Sequence, residues 1–173
     1  GFKPDQWGKI VKQCEAKGKE CFLTLPHIFR THAMKFFSKN RKNLENAGFT
    51  GVLARTLEEV SWLKEEKIEL PFALDASVYA WNREAVHTLK EMGPELKAVA
   101  KACERDGIPG ELVIYGHAPM MVSAQCVVKT LKGCTAKREH LIMKDRTGAG
   151  LPLKAHCNFC YNTILNPLPL SLF

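Results

Sequence analysis

Four short apolar runs, alternating with stretches of helical periodicity, constrain most what this 173-residue chain can fold into. The runs are residues 21–25, 51–54, 71–75 and 112–115, and Pro26 stops the first. Continuous apolar runs of this length mark strands buried on both faces, as in parallel sheets. Residues 5–17 place Trp7, Ile10, Val11 and Cys14 at helical spacing, and Gly18 can end that helix. Further helices are expected over 32–46, 56–67, 82–92 and 94–104. The second of these opens with Thr56-Leu57-Glu58-Glu59, a capping-box pattern. Strand and helix in alternation imply an α/β fold with a parallel sheet. Polar residues just past the strand ends, His27, Arg30, Arg55, Asp75 and His117, lie where parallel α/β folds place their sites.

Beyond residue 120 the alternation stops. We therefore expect two parts, an α/β part over 1–119 and a cysteine-rich, irregular region over 120–173. Cys126, Cys134, Cys157 and Cys160 fall in this second part, spaced x7, x22 and x2. A Cys-x-x-Cys turn can grip one metal, while the other two thiolates close long loops whose entropy a bound group offsets. Spacing alone leaves tetrahedral zinc, an iron–sulfur cluster and unliganded thiols all open. His156 stands beside the final pair. Cys14, Cys21 and Cys103 fall on apolar faces of the expected elements and read as buried structural thiols.

The first residues form no apolar leader, and no run of about 18 apolar residues exists, so we expect a cytoplasmic protein without a membrane span. Seven cysteines there read as reduced thiols or metal ligands. The net charge of +7 is uneven. Residues 1–50 carry ten basic and four acidic side chains, residues 51–110 eight and eleven, and residues 111–173 seven and three. Basic regions flanking an acidic one suit a polyanion such as RNA, although Lys-rich solvated helices give the same pattern.

Several motifs carry a family likeness. Residues 111–126 read Glu-Leu-Val-Ile-Tyr-Gly-His-Ala-Pro-Met-Met-Val-Ser-Ala-Gln-Cys. Lys144-Asp145-Arg146-Thr147-Gly148 and His156-Cys157-Asn158-Phe159-Cys160-Tyr161-Asn162 follow, and Leu25-Pro26-His27 and Asp75-Ala76-Ser77-Val78-Tyr79 precede them. Together they resemble the collagenase-like peptidases, family 32 of the unassigned-mechanism (U) class. The resemblance implies a partial TIM-like (β/α) barrel, its second half, followed by the cysteine region. The missing half would come from a preceding segment or an oligomer partner. It further implies a [4Fe–4S] cluster on Cys126, Cys134, Cys157 and Cys160, with zinc the alternative. Some members are similar to proteins that hydroxylate tRNA or 23S rRNA bases with prephenate as co-substrate. Others carry a collagenase-like peptidase label. A zinc-stabilised RNA-binding or structural remnant is the third reading.

The residues weigh these readings unequally. A peptidase needs an activated nucleophile or a metal-bound water. The chain has no H-E-x-x-H and no G-x-S-x-G, and neither Ser77 nor Ser123 sits in a motif with a base. His117 and Asp75 are the catalytic candidates, with a structural role the plainer reading for His117. Arg30 and Arg55 can bind an anionic co-substrate bidentately, or salt-bridge loop acids. Tyr79 and Trp81 can stack on a base or pack as core, and Asn82 stands where substrate would lie.

Overall fold

The computed structural model describes residues 3–75, 77–78, 82–93, 114–134 and 140–171. The expected helix over 94–104, Cys103, Tyr79 and Trp81 lie outside these residues. The chain divides into two compact units, residues 1–112 and 113–173.

In the first unit a 3-10 turn, Pro4–Gln6, leads into α1, Trp7–Glu15. Gly18, at φ +62°, takes the left-handed position that ends the helix without a Cβ clash. Three strands, β1 (Phe22–Thr24), β2 (Gly51–Ala54) and β3 (Phe72–Leu74), form a parallel sheet in sequential order. Its register pairs Leu23 with Val52 and Leu53 with Ala73. Gly51 is required by space, because a Cβ there would stand 2.6 Å from the Pro71 carbonyl oxygen and 2.8 Å from the Phe22 ring. β2, the central strand, is the most deeply buried, whereas β1 is an edge strand that is only partly buried, so the doubly covered environment expected for it is not met.

The helix expected over 32–46 is two helices, α2 (Thr31–Lys39) and α3 (Arg41–Asn46). Asn40 interrupts it with φ −104° and ψ +17°, and its Nδ2 shares the Phe36 carbonyl with its own N–H, at 2.7 and 3.2 Å. α4 (Leu57–Glu65) begins as the capping box requires, with the Glu59 N–H donating to the Thr56 hydroxyl at 3.3 Å. α5 (Arg83–Glu91) is capped by Asn82 in the same way, through a 2.8 Å bond from the Ala85 N–H. An aromatic cluster fills the core. Phe29 and Trp62 cross edge to face at 5.3 Å, and Phe37 lies 6.0 Å from each. The Trp62 indole N–H donates to Ser38 Oγ at 3.1 Å, so this fully buried ring leaves no polar atom unpaired.

The second unit corrects the expectation of irregular structure. β5 (Pro119–Ser123), β6 (His140–Lys144), β7 (Gly150–His156) and β8 (Tyr161–Leu165) form an antiparallel sheet in the order β5-β8-β7-β6. α6 (Val127–Lys132) supplies Val128 to a small core with Leu153, Ala155 and Ile164. Leu141, Met143 and Leu151 pack around its edge, so every second residue of β6 and β7 points inward. Gly116 also departs from expectation. With Tyr115 it forms β4, paired antiparallel to β9 (Leu170–Ser171), and residues 112–113 of the expected fourth parallel strand lie outside the described residues. The fold is thus mixed α/β, and the described strands close no barrel. No described helix is long and apolar enough to cross a membrane.

Candidate metal centre

All four C-terminal cysteines line one cavity of about 310 Å³ in the second unit, together with Gln125, Lys129, Thr130, His156 and Tyr161. Two local structures bring them there. The first is the hairpin between β7 and β8, where His156 pairs with Tyr161 and residues 157–160 form the loop. The Phe159 N–H donates to the His156 carbonyl at 3.2 Å, and Cys160 Sγ lies 3.8 Å from the Cys157 carbonyl oxygen. Cys160 has φ +53°, a left-handed conformation that costs an L-residue about 1–2 kcal/mol. Glycine would adopt it freely, so the thiol is kept at that position against a backbone penalty. Such outliers concentrate at functional sites.

The second is the start of α6. Cys126 is its N-cap, with Sγ accepting the Lys129 N–H at 3.5 Å and its carbonyl accepting the Thr130 N–H at 3.0 Å. Gly133 turns the chain at φ +80°, which leaves Cys134 exposed at the cavity wall. Asn162, completely buried on β8, donates its Nδ2 to the Gln125 carbonyl and so ties the residue before Cys126 to the hairpin strand. Its Oδ1 is buried with no hydrogen-bond partner among the described residues. The His156 ring stacks on Tyr161 at 4.2 Å and bonds Thr163 Oγ1 through Nε2 at 3.2 Å, which fixes the wall beside Cys157. Sequence reasoning missed Asn162 as a support, although it stands two residues after the Cys-x-x-Cys turn.

Cysteine thiolates are soft donors that select zinc or iron–sulfur groups over hard cations. A single tetrahedral zinc, with Zn–S near 2.3 Å, needs sulfurs about 3.8 Å apart. Among the described residues no three His, Cys, Asp or Glu side chains gather as such a single-ion site. The four thiols instead surround a shared space, on a segment with a basic side chain, Lys129, at its wall. Thiolate donors around one cavity are the set that zinc and iron–sulfur groups both take.

The first unit holds a separate polar cluster at the carboxyl ends of its strands. Arg55 Nε pairs with Asp75 Oδ2 at 2.9 Å, and Ser77 Oγ donates to the Arg55 carbonyl at 3.0 Å. The Glu59 carboxylate accepts the Arg55 N–H. Its other oxygen, Oε1, is buried with no partner among the described residues, and burial pushes the carboxyl up to about 7. Burial also lowers the pKa of the half-buried His27. The Arg55 charge adds to that shift and Asp75 opposes it. Glu59 was legible from sequence only as a capping residue, because nothing in Thr-x-x-Glu tells that the carboxylate is fully covered.

The remaining candidates are placed as follows. Arg30 is exposed at the start of α2, with no side-chain capping bond. The Asn82 carboxamide oxygen is engaged in capping α5. Tyr79 lies outside the described residues. His117 is exposed, and its Nδ1–H donates to the Asn166 carbonyl at 2.7 Å, a tie within the second unit. Arg55 and Asp75 are therefore the pair brought together in the first unit.

The family model described as peptidase family U32 matches residues 1–140. It spans Cys126 and Cys134 and stops before Cys157 and Cys160. No curated protein and no solved structure matches the chain.

Proposed function

Because the chain belongs to peptidase family U32, we propose that it is an iron–sulfur protein acting in RNA base hydroxylation, with prephenate as co-substrate. One observation carries the reading: Cys126, Cys134, Cys157 and Cys160, far apart in sequence, line a single cavity. Those residues would hold a [4Fe–4S] cluster, which supplies one-electron redox chemistry when bound. The Lys129 side chain and N–H beside Cys126 offset the negative charge of a four-thiolate centre. Around it the described residues of the second unit carry Lys129, Lys132, Lys144, Arg146 and Lys154 against a single acid, Asp145. A surface of that sign favours a phosphate backbone. The sequential parallel order of β1, β2 and β3 supports reading them as three staves of a (β/α) barrel. Arg30 and Arg55, past the ends of the first two strands, would meet the two carboxylates of prephenate.

The two candidate serines bond to backbone groups. Ser77 Oγ donates to a backbone carbonyl, Ser123 Oγ accepts the Gln125 N–H at 3.2 Å, and His117 is tied to Asn166. Anaerobic reconstitution of the chain with ferrous iron and sulfide is the direct test. Brown protein with matched iron and labile sulfide, lost in Cys157→Ser, is the expected result, followed by hydroxylated nucleosides when RNA and prephenate are added. Colourless protein that takes up only zinc and binds RNA without changing it would support the structural reading. Proteolysis that survives iron removal and disappears in Ser77→Ala or His117→Ala would support the collagenase-like one.

A further inference from the structure

Among the described residues Glu59 is the one fully buried acid, and it lies beside the charged strand ends of the first unit. One of its oxygens accepts the Arg55 N–H, and the other, Oε1, meets no partner among the described residues. A sealed carboxylate oxygen without a donor is destabilising while charged, and far less so with a proton on it. Arg55 is held at three points. Its N–H goes to Glu59, its carbonyl accepts Ser77 Oγ–H at 3.0 Å, and its Nε donates to Asp75 Oδ2 at 2.9 Å. Asp75 is itself fixed, since its N–H donates to the Ala54 carbonyl at 2.8 Å. The ion pair engages Nε, and no described residue accepts from the two Nη groups. The Arg55 side chain is 23% exposed, so a solute can reach it. The charged groups acting on Glu59 are Arg55, which favours its ionised form, and Asp75, which opposes it. His27, half-buried past β1, feels the same two charges.

We propose that binding of a small carboxylate to the Arg55 guanidinium is coupled to proton uptake by Glu59, a coupling that rests on Arg55 meeting a co-substrate carboxylate as read above. The incoming anion pairs with the Nη groups and neutralises the cation that favours ionised Glu59, while the Arg55 N–H stays on the carboxyl. Solvent supplies one proton and Oε1 takes it, so the charge brought by the anion is offset at the buried acid. The effect is reciprocal. The ligand raises the proton affinity of Glu59, and protonation raises the affinity for ligand by the same factor. Burial already pushes the Glu59 carboxyl up to about 7, which puts the coupling near neutral pH. A tenfold gain in proton affinity gives about 0.4 proton taken up at pH 7 and roughly fivefold weaker binding at pH 8 than at pH 6.

The full chain is titrated with prephenate, whose carboxylates stay ionised between pH 6 and pH 8, in buffers of different ionisation enthalpy at constant ionic strength. Calorimetry then gives the affinity and the number of protons taken up. The expected result is about 0.4 proton at pH 7 in wild type and in His27→Gln, and none in Glu59→Gln. The glutamine variant should also bind with the same affinity at pH 6 and pH 8. Arg55→Gln should weaken binding about tenfold or more. Three results overturn the coupling while leaving prephenate as the ligand: wild-type binding without proton uptake, uptake that persists in Glu59→Gln, or uptake lost in His27→Gln. Failure of wild type to bind prephenate, or undiminished binding in Arg55→Gln, removes the role read for Arg55 and the coupling with it.

Discussion

Replacing Glu59 with glutamine isolates the energetic consequence of one buried carboxyl. Glu59 is completely buried, one oxygen accepts the Arg55 N–H, and the other has no partner among the described residues. Its ionisation moves from 4.5 for the free group to about 7 in the folded protein, because burial penalises the charged form more than the Arg55 and Thr56 N–H groups and the Arg55 charge favour it. A raised carboxyl pKa means that the folded state holds the proton more tightly than the unfolded state. Stability is therefore greatest below pH 4.5, falls as pH rises through the interval to about 7, and is flat above it. Across about 2.5 pH units, at 1.36 kcal/mol each, the loss amounts to roughly 3 kcal/mol. Glutamine has the shape of the protonated acid and no charge to bury. Glu59→Gln should match wild type near pH 4.5 and exceed it by roughly 3 kcal/mol near pH 8. Urea denaturation read by tryptophan fluorescence measures this, because Trp7 and Trp62 are both buried in the core of the same unit. A difference between variant and wild type that does not change from pH 4.5 to pH 8 would refute the reasoning, since a packing effect has no such slope.

Three further substitutions probe other parts of the argument. Cys160→Gly should raise the stability of the metal-free second unit by about 1 kcal/mol relative to Cys160→Ala, because glycine relieves the left-handed backbone. Both variants should lose iron binding, as metal analysis after reconstitution would report. Asn162→Ala removes the bond to the Gln125 carbonyl and should cost about 1 kcal/mol in thermal or chemical unfolding, with lower iron occupancy because the Cys126 loop is freed. Unchanged occupancy would show that this tie does not organise the site. Gly51→Ala sets a Cβ 2.6 Å from the Pro71 carbonyl oxygen and must open the β2–β3 pairing, a cost of about 1–3 kcal/mol visible as a lowered urea midpoint.

The readability of the chain differs between its two units for a physical reason. In the first, the apolar runs at 21–25, 51–54 and 71–75 and the caps at Thr56 and Asn82 are local signals, and they form strands over 22–24, 51–54 and 72–74 and the starts of two helices. The break at Asn40 was missed because its side chain competes for a helix carbonyl while hydrophobic spacing runs on through it. In the second unit the alternation of Leu141 with Met143, and of Leu151 with Leu153 and Ala155, is the signature of half-buried strands. Exposed Ile142, 70% accessible, and Pro152 within β7 mask it, so the sheet read as irregular chain.

The amino-acid order by itself determined the capped helices, the three parallel strands, the family and the identity of the four cysteines, because caps, apolar runs and motifs act over a few residues. Only the tertiary structure decided that those cysteines share a cavity and that Glu59 is sealed from water. Each of these is a distance or an exposure set by segments far apart in the chain. Such quantities follow from packing, and no local pattern encodes them.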